Sequence, residues 1–153
     1  MNIKSTLLGL ALLIGSISAY AGNVAVDVNE NNVTLAGHDV VSYFTENKAV
    51  EGNPEYSALY NDAIYHFSST ANRDTFKANP AKYAPKYGGF CSYGTSLGKK
   101  FAVDGKAFEV VNGELYVAKN LDVYKIWKED KANNIVSSES KWPGIKDVAA
   151  DQL

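Results

Sequence analysis

The chain has 153 residues, of which 46% are hydrophobic, 12% aromatic and 21% charged. This composition is typical of one small globular domain and excludes collagen-like, coiled-coil and low-complexity proteins. The formal net charge is −2 and the 15 basic residues are spread along the sequence, which argues against a nucleic-acid-binding protein, because such proteins concentrate positive charge.

The first 21 residues have the organisation of a secretory signal peptide. Lys4 supplies the positive charge, residues 7–14 form an apolar run, and Ala19 and Ala21 give the small-x-small pattern of a cleavage site. The apolar run is shorter than the ~20 residues that a membrane-spanning helix needs. We therefore predict cleavage after Ala21 and a periplasmic or secreted protein without a membrane anchor.

The rest of the chain shows no linker long enough to separate two domains. We divide it into a loose N-terminal segment at 22–32, a single domain at 33–145 and a C-terminal tail at 146–153. The elements predicted at the start of the domain are a short strand over 33–35, a turn over 37–39, an extended segment over 40–44 and a surface loop over 46–54.

Two β-hairpins and several short helices are predicted next. The hairpins pair 56–60 with 63–68 around Asn61-Asp62, and 107–111 with 114–118 around Asn112-Gly113. The helices cover 71–79 after Ser69-Thr70, 80–83 from Pro80, 121–130 after the cap Asn120, and 132–140 before Trp142-Pro143-Gly144. Hairpins interleaved with helices, without a repeated strand–helix–strand crossover, predict an α+β fold.

Several segments of this domain carry a resemblance to a known family. They are 37–44 (GHDVVSYF), 64–68 (IYHFS), 72–76 (NRDTF), 80–83 (PAKY) and 87–94 (YGGFCSYG), followed by 127–130, 134–135 and 141–143 near the C-terminus. On these residues the chain resembles YHS-domain proteins, and more narrowly the stand-alone exported YHS proteins of bacteria. YHS domains occur beside metal-transporting ATPases, so the resemblance implies a metal-binding role, often for copper.

The sequence departs from the ATPase-linked YHS domains at two positions. Those relatives have cysteines beside the aromatic hairpin and at the following helix start, whereas this chain has Ser68 and Asn72. Their multi-cysteine metal site therefore cannot be carried over. The soft donors that remain are His66 on the hairpin and Cys91, the only cysteine, in a glycine-flanked loop.

Each of these two residues admits two interpretations. Strand alternation places Ile64, His66 and Ser68 on one face of the hairpin, where the imidazole could bind a metal or could simply hydrogen-bond to backbone. Cys91 could be a thiolate ligand or nucleophile, or a small buried hydrophobe between Phe90 and Tyr93.

Thiolate and imidazole together suit copper(I), for which two ligands suffice. We therefore predict copper, or another soft transition metal, as the cofactor, with Cys91 and His66 as ligands and His38 as a third. A shared ion requires the His66 ring nitrogen and the Cys91 sulfur to approach within roughly 4 Å of each other. His38-Asp39 is alternatively a turn in which Asp39 accepts hydrogen bonds from nearby backbone amides.

Two other functions remain open. A Cys–His couple is also the nucleophile–base unit of thiol enzymes, with Asp39, Asp62 or Asp104 orienting the imidazole. No nucleophile elbow or cofactor fingerprint accompanies it, so no catalytic residue is assigned. The third interpretation is a non-catalytic module that binds a small ligand or a protein. The aromatic residues considered for its pocket are Tyr65, Phe67, Phe90 and Tyr93. The pair Lys99-Lys100 is interpreted as solvated.

Overall fold

The computed structural model describes residues 23–153, so the predicted signal peptide lies outside the described residues. Within them the fold is α+β, as the sequence predicts. The strands are β1 (Asn53–Tyr60), β2 (Ala63–Phe67), β3 (Phe108–Val111) and β4 (Glu114–Val117). The helices are α1 (Val40–Thr45), α2 (Thr70–Ala78), α3 (Pro80–Tyr83), α4 (Ser92–Ser96), α5 (Leu121–Glu129) and α6 (Lys131–Ile145). Short 3-10 turns cover Leu35–Gly37, Lys86–Gly89 and Ala150–Gln152.

The two predicted hairpins are confirmed. β1 pairs antiparallel with β2 and β3 with β4, in two separate two-stranded sheets. Along β2, Ala63, Tyr65 and Phe67 are buried, whereas Ile64 and His66 are half-buried on the other face. The buried face packs on α2, where the Phe76 ring lies 4.6 Å from that of Tyr65, centroid to centroid. The hairpin therefore turns one face to the core and the face with His66 outward.

The predicted extended segment at 40–44 is wrong, because these residues form helix α1. Two consecutive valines favour a strand, but Asp39 caps the helix by accepting a hydrogen bond from the Val41 N–H at 2.9 Å. Val40, Val41 and Tyr43 are then buried in the main core. The prediction that Asp39 bonds a nearby backbone amide is confirmed.

Asp39 also joins α1 to the hairpin and to α2. The residue is fully buried. Its Oδ2 accepts hydrogen bonds from the Ser68 N–H at 2.8 Å, from the Ser68 hydroxyl at 2.7 Å and from the Asn72 amide at 2.7 Å. Together with the cap on Val41, four donors compensate for the burial of one carboxylate.

The last long helix continues further than predicted. α6 runs to Ile145 with Pro143 inside it, instead of closing before Trp142. A proline removes one helical hydrogen bond, but Trp142 packs against the rings of Tyr87 and Phe90 at centroid distances of 5.9 and 6.3 Å. This tertiary packing explains why α6 continues beyond the point at which the local sequence predicts its end.

Lys100 is buried, which corrects its interpretation as a solvated residue. Only 3% of it is exposed, and its Nζ donates to the carbonyl oxygens of Val24, Lys146 and Val148 at 2.8, 2.6 and 2.7 Å. The ammonium also lies 5.1 Å from the ring centroid of Phe90. One cation thereby joins the start of the described chain to the C-terminal end of α6.

We expect Asp39→Asn to lower the free energy of unfolding by about 3 kcal/mol, because the amide nitrogen would face donors where a carboxylate oxygen now accepts. Urea unfolding followed by circular dichroism measures the change. The matched control is Asp62→Asn, in the exposed β1–β2 turn, which should change stability by less than about 0.5 kcal/mol. Equal effects of the two substitutions would contradict the role given to Asp39.

We expect Lys100→Met to lower the free energy of unfolding by about 2 kcal/mol, since methionine keeps the apolar stem but leaves three carbonyl oxygens without their donor. The neighbouring Lys99 is exposed, so Lys99→Met serves as the control and should be nearly neutral. Thermal and urea unfolding of both variants test this. A Lys100→Met protein as stable as the control would show that the three hydrogen bonds contribute nothing net.

Candidate functional site

A cavity of about 560 Å³ lies beside the outward face of β2. Three separate segments of the chain form its walls: residues 29–37, residues 51–54 and β2 itself. The polar side chains that line it are those of Asn29, Asn31, Glu51 and His66, and the apolar wall includes Val33 and Ile64. Its volume lies in the range of small-molecule sites.

Gly52 allows the backbone to pass close to His66. A Cβ at Gly52 would lie 2.6 Å from the His66 Cβ, whereas one at Gly37 would lie 3.6 Å from the ring Nδ1, an ordinary contact distance. The Gly52 N–H donates to the Gly37 carbonyl oxygen at 2.9 Å. Any side chain at 52 would therefore clash with β2, so glycine is required there for the walls to meet around His66.

Burial lowers the pKa of His66 below its usual value. Neither a hydrogen bond nor a neighbouring charge among the described residues contributes to that shift. The imidazole is therefore mostly neutral near pH 7, with one nitrogen able to accept a hydrogen bond or bind a metal and the other able to donate.

The cavity wall formed by residues 29–37, which runs beside β2, contains a left-handed turn. Leu35, Ala36 and Gly37 have φ values of 54°, 50° and 82°, and the first two are not glycines. Such a conformation costs on the order of 1–3 kcal/mol at each non-glycine residue and is found preferentially at functional sites. The buried Leu35 side chain helps to hold the turn, and Ala36 and Gly37 line the cavity.

His38 supports this turn and does not line the cavity. It is 6% exposed, and its Nδ1 donates to the Leu35 carbonyl oxygen at 3.1 Å. Gly105 packs so closely on the ring that a Cβ there would lie 2.2 Å from Nδ1. The structure therefore gives His38 a structural contact, and does not bring its ring into the His66 cavity.

Cys91 lies in a different part of the molecule. It is 1% exposed and belongs to an apolar cluster with Ala107 and Ala118. Its sulfur accepts a hydrogen bond from the Gly94 N–H at 3.5 Å, at the start of α4. No residue of this cluster lines the cavity that contains His66. The structure therefore does not bring the two proposed ligands into one cavity.

The residues predicted to hold copper do not fit a shared centre. Between residues 23 and 153, no group of three or more His, Cys, Asp or Glu side chains could hold a metal ion. Cys91 is enclosed, and His38 is committed to a carbonyl oxygen. Copper binding through Cys91, His66 and His38 stays a prediction from the resemblance.

The structure also separates the residues proposed for the thiol enzyme and for the aromatic ligand pocket. Of the carboxylates proposed to orient an imidazole, Asp39 binds Ser68 and Asn72, and Asp104 accepts from the Lys106 N–H at 2.8 Å. Asp62 is exposed in the β1–β2 turn.

The four aromatic residues proposed for a pocket do not lie together. Tyr65 and Phe67 pack on Phe76, Phe90 packs on Trp142, and Tyr93 lies beside Cys91.

Most of the residues that line the cavity are not among the site residues predicted from the sequence. Asn29 and Asn31 fall in the segment predicted to be loose, and Glu51 in a predicted surface loop. In the structure, the Asn29 Oδ1 accepts from the backbone N–H groups of Asn31 and Val33 at 2.9 and 3.0 Å. The Asn-Glu-Asn-Asn run at 29–32 is a recognisable turn signal of this kind, but it does not show which strand the turn faces.

Asp27 is a second buried carboxyl that the sequence analysis did not single out. It is 8% exposed, and its Oδ2 accepts from the Val103 N–H at 3.1 Å. Burial, partly offset by that hydrogen bond, raises the pKa of Asp27 to about 6. It lines a smaller cavity of about 210 Å³ that shares Asn29 and Ala36 with the His66 cavity.

Comparisons of the chain with protein-family models, with curated proteins and with solved structures find no match. Membership of the YHS family therefore stays a prediction from the segments quoted above. None of the helices between residues 23 and 153 combines the length and the hydropathy that a bilayer crossing requires.

We expect Asp27→Asn to raise the free energy of unfolding at pH 7.5 by up to about 3 kcal/mol and to leave it nearly unchanged at pH 4. The carboxyl titrates near 3.8 when unfolded and near 6 when folded. Its contribution to stability is therefore fully present below about pH 4 and is lost as the pH rises through 6, at about 1.4 kcal/mol per pKa unit.

Urea unfolding of both proteins at several pH values between 4 and 8 measures this difference. The difference between the variant and the parent cancels the titration of every other group. A stability difference that stays constant over this range would contradict the raised pKa of Asp27.

Proposed function

We propose that this protein is a non-catalytic binding protein whose ligand site is the His66 cavity. The observation that carries the proposal is the position of His66: a mostly neutral imidazole on the wall of a cavity of about 560 Å³. Two features support it. A neighbouring wall contains a strained left-handed turn, and only a glycine at 52 allows that segment to pass so close to His66.

The composition of the cavity wall favours binding over catalysis. No serine, threonine, cysteine or lysine is among the described residues that line it, so no hydroxyl, thiol or amine nucleophile lies there for His66 to activate. Cys91, the candidate nucleophile of the sequence analysis, is enclosed in an apolar cluster. A few polar groups on a partly apolar wall are what a small-molecule site requires.

Nuclear magnetic resonance titration of the isotope-labelled protein tests the proposal. The probes are n-butylamine, butan-1-ol, butyrate and phenol, and the readouts are the His66 ring and the amides of Gly37 and Gly52. We expect at least one probe to shift these resonances saturably. Ile64→Trp, which places an indole in the cavity, should abolish the shifts, whereas Ile126→Trp on the exposed side of α5 should not.

Two results would overturn the proposal. One is that no probe binds, or that the same shifts persist in Ile64→Trp. The other result concerns the predicted copper site and comes from titration with copper(I) under reducing conditions. Stoichiometric binding that is lost in both Cys91→Ser and His66→Ala would favour the metal-binding function instead.

A further inference from the structure

We infer that the His66 cavity takes a small aliphatic ammonium ion, an amine with a short hydrocarbon chain. This inference rests on the proposed binding function and names the chemical class of its ligand. It comes from the charge of the cavity, from its hydrogen-bonding groups and from its apolar wall.

The charge of the cavity is negative. Glu51 lines it, and no lysine or arginine is among the described residues that do. Glu51 takes part in none of the five ion pairs found between residues 23 and 153. A cationic ligand would therefore meet a carboxylate that is not already neutralised, whereas an anionic ligand would be repelled by it.

The polar groups of the cavity match an ammonium better than a carboxylate or phosphate. An ammonium has three donors and no acceptor. The Glu51 carboxylate, the acceptor nitrogen of His66 and the side-chain oxygen of Asn31 are three groups on the wall that can accept. An anion would find donors only on His66 and on the asparagine amides, with no positive charge among the lining residues.

The remaining wall suits a hydrocarbon chain. Val33, Ala36, Pro54 and Ile64 line the cavity together with the polar groups. Contact with these side chains removes methylene groups of a ligand from water, which favours binding. The juxtaposition of a carboxylate, a neutral imidazole and an aliphatic wall therefore selects a ligand that is cationic at one end and apolar at the other.

The test compares three probes of equal length, n-butylamine, butan-1-ol and butyrate, by the titration described above. We expect butylamine to bind about fivefold more tightly than butanol, as an exposed ion pair allows, and butyrate to bind more weakly than both. Glu51→Gln should remove the preference for the amine and leave butanol binding unchanged. Raising the salt concentration to 0.5 M should reduce the same preference.

The matched control is Glu55→Gln, because Glu55 is also exposed, lies four residues further along the chain and does not line the cavity. It should leave all three affinities unchanged. His66→Phe, which keeps a ring but removes both nitrogens, should weaken butylamine more than butanol.

The outcomes separate the two proposals. If butanol binds in the cavity as tightly as butylamine, and Glu51→Gln changes neither, the ammonium inference is wrong while the binding function stands. If none of the probes binds in the cavity, the binding function fails and the inference fails with it.

Discussion

The structure around the candidate site depends on the buried carboxylate of Asp39. Its two oxygens hold the start of α1 through Val41, the end of β2 through Ser68 and the first turn of α2 through Asn72. His66 lies two residues before one of these contacts. The residue before Asp39, His38, donates a hydrogen bond to the Leu35 carbonyl oxygen in the left-handed turn. One carboxylate therefore joins α1, the end of β2 and α2, and the neighbouring His38 bonds the turn at Leu35.

Ser68 and Asn72 are the two positions at which the predicted YHS resemblance would lead one to expect cysteines. In this chain both side chains donate to Asp39, so both serve the fold. A thiol at either position would be a weaker donor to a buried carboxylate. The serine and the asparagine at these positions therefore have a structural role in binding Asp39.

The parts of the fold that the sequence predicts well depend on neighbouring residues. The Asn61-Asp62 and Asn112-Gly113 turns and the cap Asn120 act within a few residues, and the structure confirms all three. The helix predicted at 71–79 begins one residue earlier, at Thr70, with Ser69 as its cap. The errors involve distant partners. Helix α1 is fixed by Asp39, whose partners lie up to 33 residues away, and Lys100 is buried because its three carbonyl acceptors come from both ends of the described chain. Strand alternation correctly put Ile64 and His66 on one face of β2. The other walls of the cavity come from segments 29–37 and 51–54, and no local sequence pattern predicts that these segments approach β2.

Cys91 and His66, the two main ligands predicted from the sequence, lie in different environments, and this difference supports the proposed binding function over a shared metal centre. Cys91 is enclosed by apolar side chains, and its sulfur already accepts the N–H at the start of α4. In an oxidising compartment, which the N-terminal sequence predicts, such a thiol is protected from oxidation because little oxidant reaches it. The His66 ring makes no such hydrogen bond within residues 23–153, and it lines a cavity large enough for several ligand atoms. A metal site gains affinity from the number of its protein donors, whereas this cavity offers one imidazole, one carboxylate and an apolar wall. Volume and charge, more than ligand count, are therefore the properties by which this site would select what it binds.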